Sequence, residues 1–152
     1  MTAPAGHPAA HPRRAGSYAD RAFTLDVLAR TLWGEARGEG AAGMQAVACV
    51  ILNRAARPGW WGRSVAEICL KPWQFSCWLP DDPNRAKLEA VTGDDPAFAE
   101  ARRIAGAALG GTLADYSFGA THYHTVSTAP GWARGRTPCA VIGRHAFYND
   151  IA

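Results

Sequence analysis

Two glutamates, Glu35 and Glu39, stand four residues apart in "TLWGEARGEGAAGMQAVACVILNR", residues 31–54. A glycine precedes the first, and glycines flank the second. A carboxyl group works as a general acid near neutral pH when its surroundings raise its pKa. Glu35 has such a setting. Ahead of it, Leu25, Leu28, Ala29, Leu32 and Trp33 fall on one helical face. Gly38 and Gly40 end that helix, and a strongly apolar segment follows. A carboxylate at such a helix end is partly desolvated, which disfavours its charged form. The negative end of the helix dipole pushes the same way. Glu39 is one helical turn on, but the glycines leave its relation to Glu35 open. The same residues also allow both carboxylates to lie in solvent.

A second group is His122, His124 and His145, with Tyr123, Trp132 and Tyr148 near them in sequence. Residues i and i+2 of a strand face one side, so His122 and His124 form a metal-ligand spacing. With His145 as third ligand and a glutamate as fourth, a zinc amidase or peptidase can be drawn. The alternative is a hydrogen-bonded histidine cluster lining a groove. Asp115 is the candidate second carboxylate near this strand. A third group is "KPWQFSCW", where Gln74 and Ser76 alternate with Trp73, Phe75 and Trp78. Aromatic plates beside polar groups suit sugar rings. A packed loop is the alternative.

The elements that must position these groups follow from pattern and composition. The chain has 152 residues, 48% of them hydrophobic and 19% charged, which fits one domain with a real core. Thr24 reads as the N-cap of the first helix. A second helix covers about residues 41–56, apolar nearly all round, and so belongs at the centre. "SVAEICL" reads as a short helix capped by Ser64, with Glu67 completing a capping box. Residues 84–91 suggest another, and Asp95-Pro96 opens a longer one that stops at Gly110-Gly111. "THYHTVS" and "TPCAVIG" are β-prone and are expected to pair as a C-terminal hairpin around the loop "TAPGWARGR". The fold class is therefore α+β, a mainly helical body with a β-hairpin.

The net charge of +3 suits an anionic polymer, while no Lys/Arg run argues for nucleic acid. No apolar run reaches membrane-spanning length, so no integral membrane segment is expected. Residues 1–20 lack the apolar stretch of a secretory signal and read as a disordered tail ahead of a domain over 21–152. Synthesis in the cytoplasm, with later access to the wall or periplasm through a holin, is one expectation. Cys69 and Cys77 flank a short loop and could be bridged if their Cα atoms come within about 6 Å. Reduced thiols are the default without an export signal. A monomer is expected.

The stretches "LARTLWGEARGEGAAGMQAVACVILNR", "QFSCW", "THYHT", "PGWA" and "IGRHAFY" together resemble the SleB/CwlJ-type cell-wall hydrolases, in the family's order, over roughly residues 25–150. The resemblance implies a fold similar to lysozyme-like transglycosylases and peptidoglycan glycan strands as partner. It implies cleavage between N-acetylmuramic acid and N-acetylglucosamine, with the muramic C6 hydroxyl in the place of water. Glu35 matches the catalytic acid/base, and Glu39 a supporting glutamate. Gln74, Phe75, Ser76, His122, Tyr123, His124, Trp132 and His145 would then hold the glycan. No metal or other cofactor is implied. A metal-dependent amidase built on His122, His124 and His145, or a non-catalytic glycan-binding module, are the competing readings.

Overall fold

Three helices carry the core. They are α1 (Arg13–Ala36), α2 (Gly40–Ala56) and α5 (Pro96–Leu109), with the short α3 (Val65–Leu70) and α4 (Arg85–Ala90) packed at their side. The computed structural model describes the backbone from residue 13 and side chains from residue 20, both to residue 152. Leu28 and Leu32 of α1, Val47 and Ile51 of α2, and Phe98 and Ile104 of α5 are fully buried against one another. Each such side chain contributes roughly 1.5–3 kcal/mol through its burial. The apolar character of α2 on nearly every side is thus explained by its central position.

Local signals locate the starts of α3 and α5. Ser64 accepts from Glu67 N–H at 3.2 Å, and Glu67 reaches back to accept from Arg63 N–H at 2.9 Å. Asp95 caps α5 by accepting from Phe98 N–H at 2.9 Å, with Pro96 in the first turn. Thr24 is not an N-cap. Helix α1 begins eleven residues earlier, because the Ala- and Arg-containing segment before Thr24 continues the helix rather than starting it. The expected tail over residues 1–20 is therefore helical from Arg13, and its first twelve positions lie outside the described residues. Between α1 and α2 the chain makes a 3₁₀ turn, Arg37–Glu39, and leaves it through Gly40 at φ 74°. That left-handed value favours glycine.

The β part is a three-stranded antiparallel sheet instead of the expected two-stranded hairpin. Its strands β1 (His122–Thr125), β2 (Ala140–Ile142) and β3 (His145–Tyr148) lie in the order β1-β3-β2. The two β-prone segments thus never pair with each other. The strand between them, "HAFY", is buried at all four positions, so it shows no alternation by which to find it. A two-residue turn, Gly143-Arg144, joins β2 to β3. Gly143 has φ 58°, as the first central residue of a II′ turn requires. One face of the sheet packs Phe147 against Ala46 and Val50 of α2. All four cysteines are free, so Cys69 and Cys77 are not bridged. Among the described residues, no helix is long and apolar enough to cross a membrane.

Candidate active site

Glu35 is the penultimate residue of α1, one turn beyond the buried Thr31 and Leu32 on the same helix face. Tyr123 of β1 reaches across and donates its hydroxyl to Glu35 Oε2 at 3.3 Å. Cys77, in the 3₁₀ turn Ser76–Trp78, closes the other side. Gly34 makes that approach possible: a Cβ there would stand 2.8 Å from Cys77 Cβ and 2.9 Å from its Sγ. Glu35 Oε1 is buried and has no hydrogen-bond partner among the described residues. Burial pushes the Glu35 carboxyl above its ordinary pKa. Cys77 and Tyr123 offset part of the rise, and the nearby Asp82 charge adds to it. The group therefore holds its proton closer to neutrality than a surface glutamate does.

Glu35 opens on a cleft of about 470 Å³ that Glu39, Thr125, Ser127, Arg144 and His145 also line. His145 is buried, and its Nδ1 likewise lacks a hydrogen-bond partner among the described residues. Burial lowers its pKa. Glu39 opposes that and His124 reinforces it, so the imidazole stays neutral at pH 7. Both residues line one cleft, and each has a buried polar atom without the hydrogen bond such an atom ordinarily makes.

The two glutamates are placed differently. Glu39 turns its carboxylate onto the β2–β3 turn and accepts from Arg144 N–H at 3.1 Å. It sits so tightly over this turn that a Cβ on Gly143 would collide with Glu39 Oε2, and one on Gly43 would collide with Glu39 Cβ. Gly143→Ala is accordingly expected to lower thermal stability, by about 1–3 kcal/mol from backbone strain and the displaced carboxylate. A melting curve indistinguishable from the parent's would show that Glu39 does not clamp this turn.

Register separates the histidines. His124 opposes Ala146 and Thr125 opposes His145. His122 and His124 thus share one face of the sheet, while Tyr123 and His145 lie on the other, toward Glu35. The expected ligand set of His122, His124 and His145 is therefore not brought together. Among the described residues, no three His, Cys, Asp or Glu side chains gather as metal ligands would. His122 is buried between Trp61 and Trp132, and its Nδ1 lies 3.0 Å from Thr121 Oγ1. His124 is stacked on Tyr148, with Nε2 2.9 Å from the Tyr148 hydroxyl, and Trp132 caps this face. Asp115 is no second catalytic carboxylate near Glu35. It accepts from Ser117 and Gly119 N–H and from the Asn53 amide, which organises its own loop.

In the "KPWQFSCW" segment the expected roles also divide. Phe75 is core, 2% exposed, and is corrected as a groove residue. Ser76 is exposed. Gln74 is held by Arg54, the residue that sequence reasoning missed. Arg54 is buried at the end of α2. It donates from Nε to Thr121 O at 2.7 Å and from Nη1 to Gln74 Oε1, with its guanidinium 5.7 Å from the Trp61 ring centre. One side chain thus ties α2, the 71–78 segment and the start of β1 together. An arginine at a helix end reads in sequence as an exposed partner of the helix dipole, so nothing local signals this burial.

A family model described as Cell Wall Hydrolase matches residues 38–148, which span Glu39, Arg54, the 71–78 segment and the whole sheet. The chain belongs to the cell wall hydrolase family. Glu35 stands three residues before the matched span. Among curated relatives, a spore cortex-lytic enzyme of Halalkalibacterium halodurans is 33% identical over 82% of this chain and 34% of its own length. That of Bacillus subtilis is 32% identical over 81% and 36%. The chain thus spans about a third of these relatives. Among solved structures, the catalytic domain of the germination-specific lytic transglycosylase SleB from Bacillus anthracis matches with a TM-score of 0.64 and 25% identity. The match covers 82% of this chain and 93% of that one. The SleB catalytic domain from Bacillus cereus gives 0.65 and 26%, over 82% and 88%. The SleB/CwlJ-type resemblance and the α+β class expected from the motifs are both confirmed, and the helical body with its small C-terminal sheet is the fold of that catalytic domain.

Proposed function

We propose that this cell wall hydrolase cuts peptidoglycan glycan strands between N-acetylmuramic acid and N-acetylglucosamine as a lytic transglycosylase, with Glu35 as its single acid/base. The observation that carries this reading is the division of labour between the carboxylates. Glu35 is desolvated and proton-holding at an open cleft, whereas Glu39 is committed to Arg144 N–H. A glycosidase that uses two carboxyl groups needs both free to face the scissile bond. A transglycosylase needs one. Glu35 gives its proton to the glycosidic oxygen as the C1–O bond breaks, and the departing sugar leaves as an alcohol. The substrate's acetamido oxygen shares the positive charge at C1. The Glu35 carboxylate then takes the proton of the muramic C6 hydroxyl as O6 bonds to C1, which leaves a 1,6-anhydro end and restores the acid. Tyr123 stabilises the charged intermediate form by donating to Oε2. The Bacillus anthracis neighbour is itself named a lytic transglycosylase, which supports the same reading.

Mass spectrometry of products from purified peptidoglycan tests it. Anhydromuropeptides are expected, and a chelator is expected to leave their release unchanged. Freed stem peptides or reducing muramic ends in their place would overturn the assignment.

A further inference from the structure

The turn Lys71–Gln74 places a tryptophan where the backbone disfavours one. Gln74 N–H bonds Lys71 O at 3.1 Å, Pro72 follows the first residue, and Trp73 has φ 71°. This is the pattern of a type II turn, whose third position calls for glycine or asparagine. A bulky side chain with positive φ is a true outlier and is kept only where surrounding structure enforces it. Here the enforcement is visible. Gln74 is held by Arg54, and Phe75 is buried in the core. Farther on, Trp78 Nε1 donates to Thr31 Oγ1 at 2.9 Å. Yet the Trp73 indole gains nothing from the fold, since the residue is 83% exposed.

What the indole does face is a second cleft, of about 520 Å³, completed by Leu79, Pro80, Asp81, Asp82 and Pro83. The segment that forms this cleft also borders the catalytic region, because its Cys77 packs against Gly34, the neighbour of Glu35. Asp82 uses Oδ1 to accept from Asn84 N–H at 2.8 Å, and Asp81 is exposed. An aromatic plate with carboxylate oxygens at its border matches a saccharide ring, whose C–H face stacks while its hydroxyl and amide N–H groups donate.

We propose that Trp73 and the Leu79–Pro83 cleft form a remote sugar subsite that grips the same glycan strand away from the bond being cut. The inference rests on the glycan-cleaving reading of Glu35. The occupant is a ring of the strand itself, held by stacking, and its contribution is to affinity rather than to the chemical step.

Trp73→Asn tests it, because asparagine is the non-glycine residue that best tolerates this φ. On polymeric peptidoglycan the variant is expected to raise KM about tenfold, the loss of one aromatic contact, with kcat little changed. Its Tm is expected to equal or exceed the parent's. An unchanged KM, or a fall in Tm that makes Trp73 a folding residue, would overturn the subsite. Binding to uncleaved strands, compared between Glu35→Gln and Glu35→Gln/Trp73→Asn, separates the two readings. If the parent releases no anhydro ends but the double variant still binds about tenfold more weakly, the subsite stands and the transglycosylase reading falls.

Discussion

Glu35→Gln is expected to reduce release of anhydromuropeptides by about a thousandfold or more, while raising the protein's melting temperature at neutral pH. In the proposed mechanism the first effect follows from removing the proton donor and acceptor of both steps; a positioned acid–base group is worth roughly 10²–10⁴ in rate for each transfer it performs. The second follows from the burial of Glu35. Its folded-state pKa is raised, so between the ordinary glutamate value and the raised one the folded protein binds more protons than the unfolded chain. Stability in that window falls as pH rises, and above the raised value the full penalty of a desolvated charge is present. Glutamine keeps the shape and can still accept from Tyr123, but carries no charge. The gain in Tm should therefore vanish below the pKa of an unfolded glutamate. In the parent enzyme, cleavage should decline as pH rises through the raised value, because the acid is then spent. Melting curves at two pH values, read beside the rate, check both halves. A variant that digests wall like the parent would remove Glu35 from the chemistry.

Arg54→Met should lower stability by about 2–4 kcal/mol, or on the order of 10 °C in Tm, the loss of two hydrogen bonds from a charged donor less the relief of a desolvated guanidinium. Two acceptors, Thr121 O and Gln74 Oε1, would lose a charged donor in a buried place. Arg54→Lys should recover little, since one ammonium cannot reproduce the guanidinium fork that reaches β1 and the 71–78 segment together. Thermal unfolding of both variants decides this. A lysine variant as stable as the parent would mean that charge, not bidentate geometry, holds the two walls.

These two residues also show what the sequence reveals and what it hides. The local pattern around Glu35, an apolar helix stripe before it and a glycine-marked break after it, made it a candidate alongside Glu39, and only the resemblance of the surrounding motifs set the two apart. The Ser64 and Asp95 caps were legible because each is completed within four residues. Arg54, Glu39 and the histidines were not, because their partners are distant in sequence. Glu39 meets a backbone N–H 105 residues away. The two sides of the histidine group depend on the pairing of β1 with a strand whose uniform burial erased its period. Parity in a sheet is all or nothing, so an unseen strand turns a plausible metal triad into two unrelated groups. Phe75 shows the converse: an aromatic between polar residues has the composition of a groove, and only packing shows it to be core.

The order of the strands also bears on how the protein comes to be active. Strands β1 and β2 touch only through β3, and β3 ends at Tyr148. Synthesis proceeds from the N-terminus, and helices α1, α2 and α5 can collapse on one another while the rest is still being made. The sheet cannot assemble until residue 148 has left the ribosome, and with it comes His145, the far wall of the cleft over Glu35. A nascent or truncated chain lacking those residues would carry Glu35 without the cleft around it.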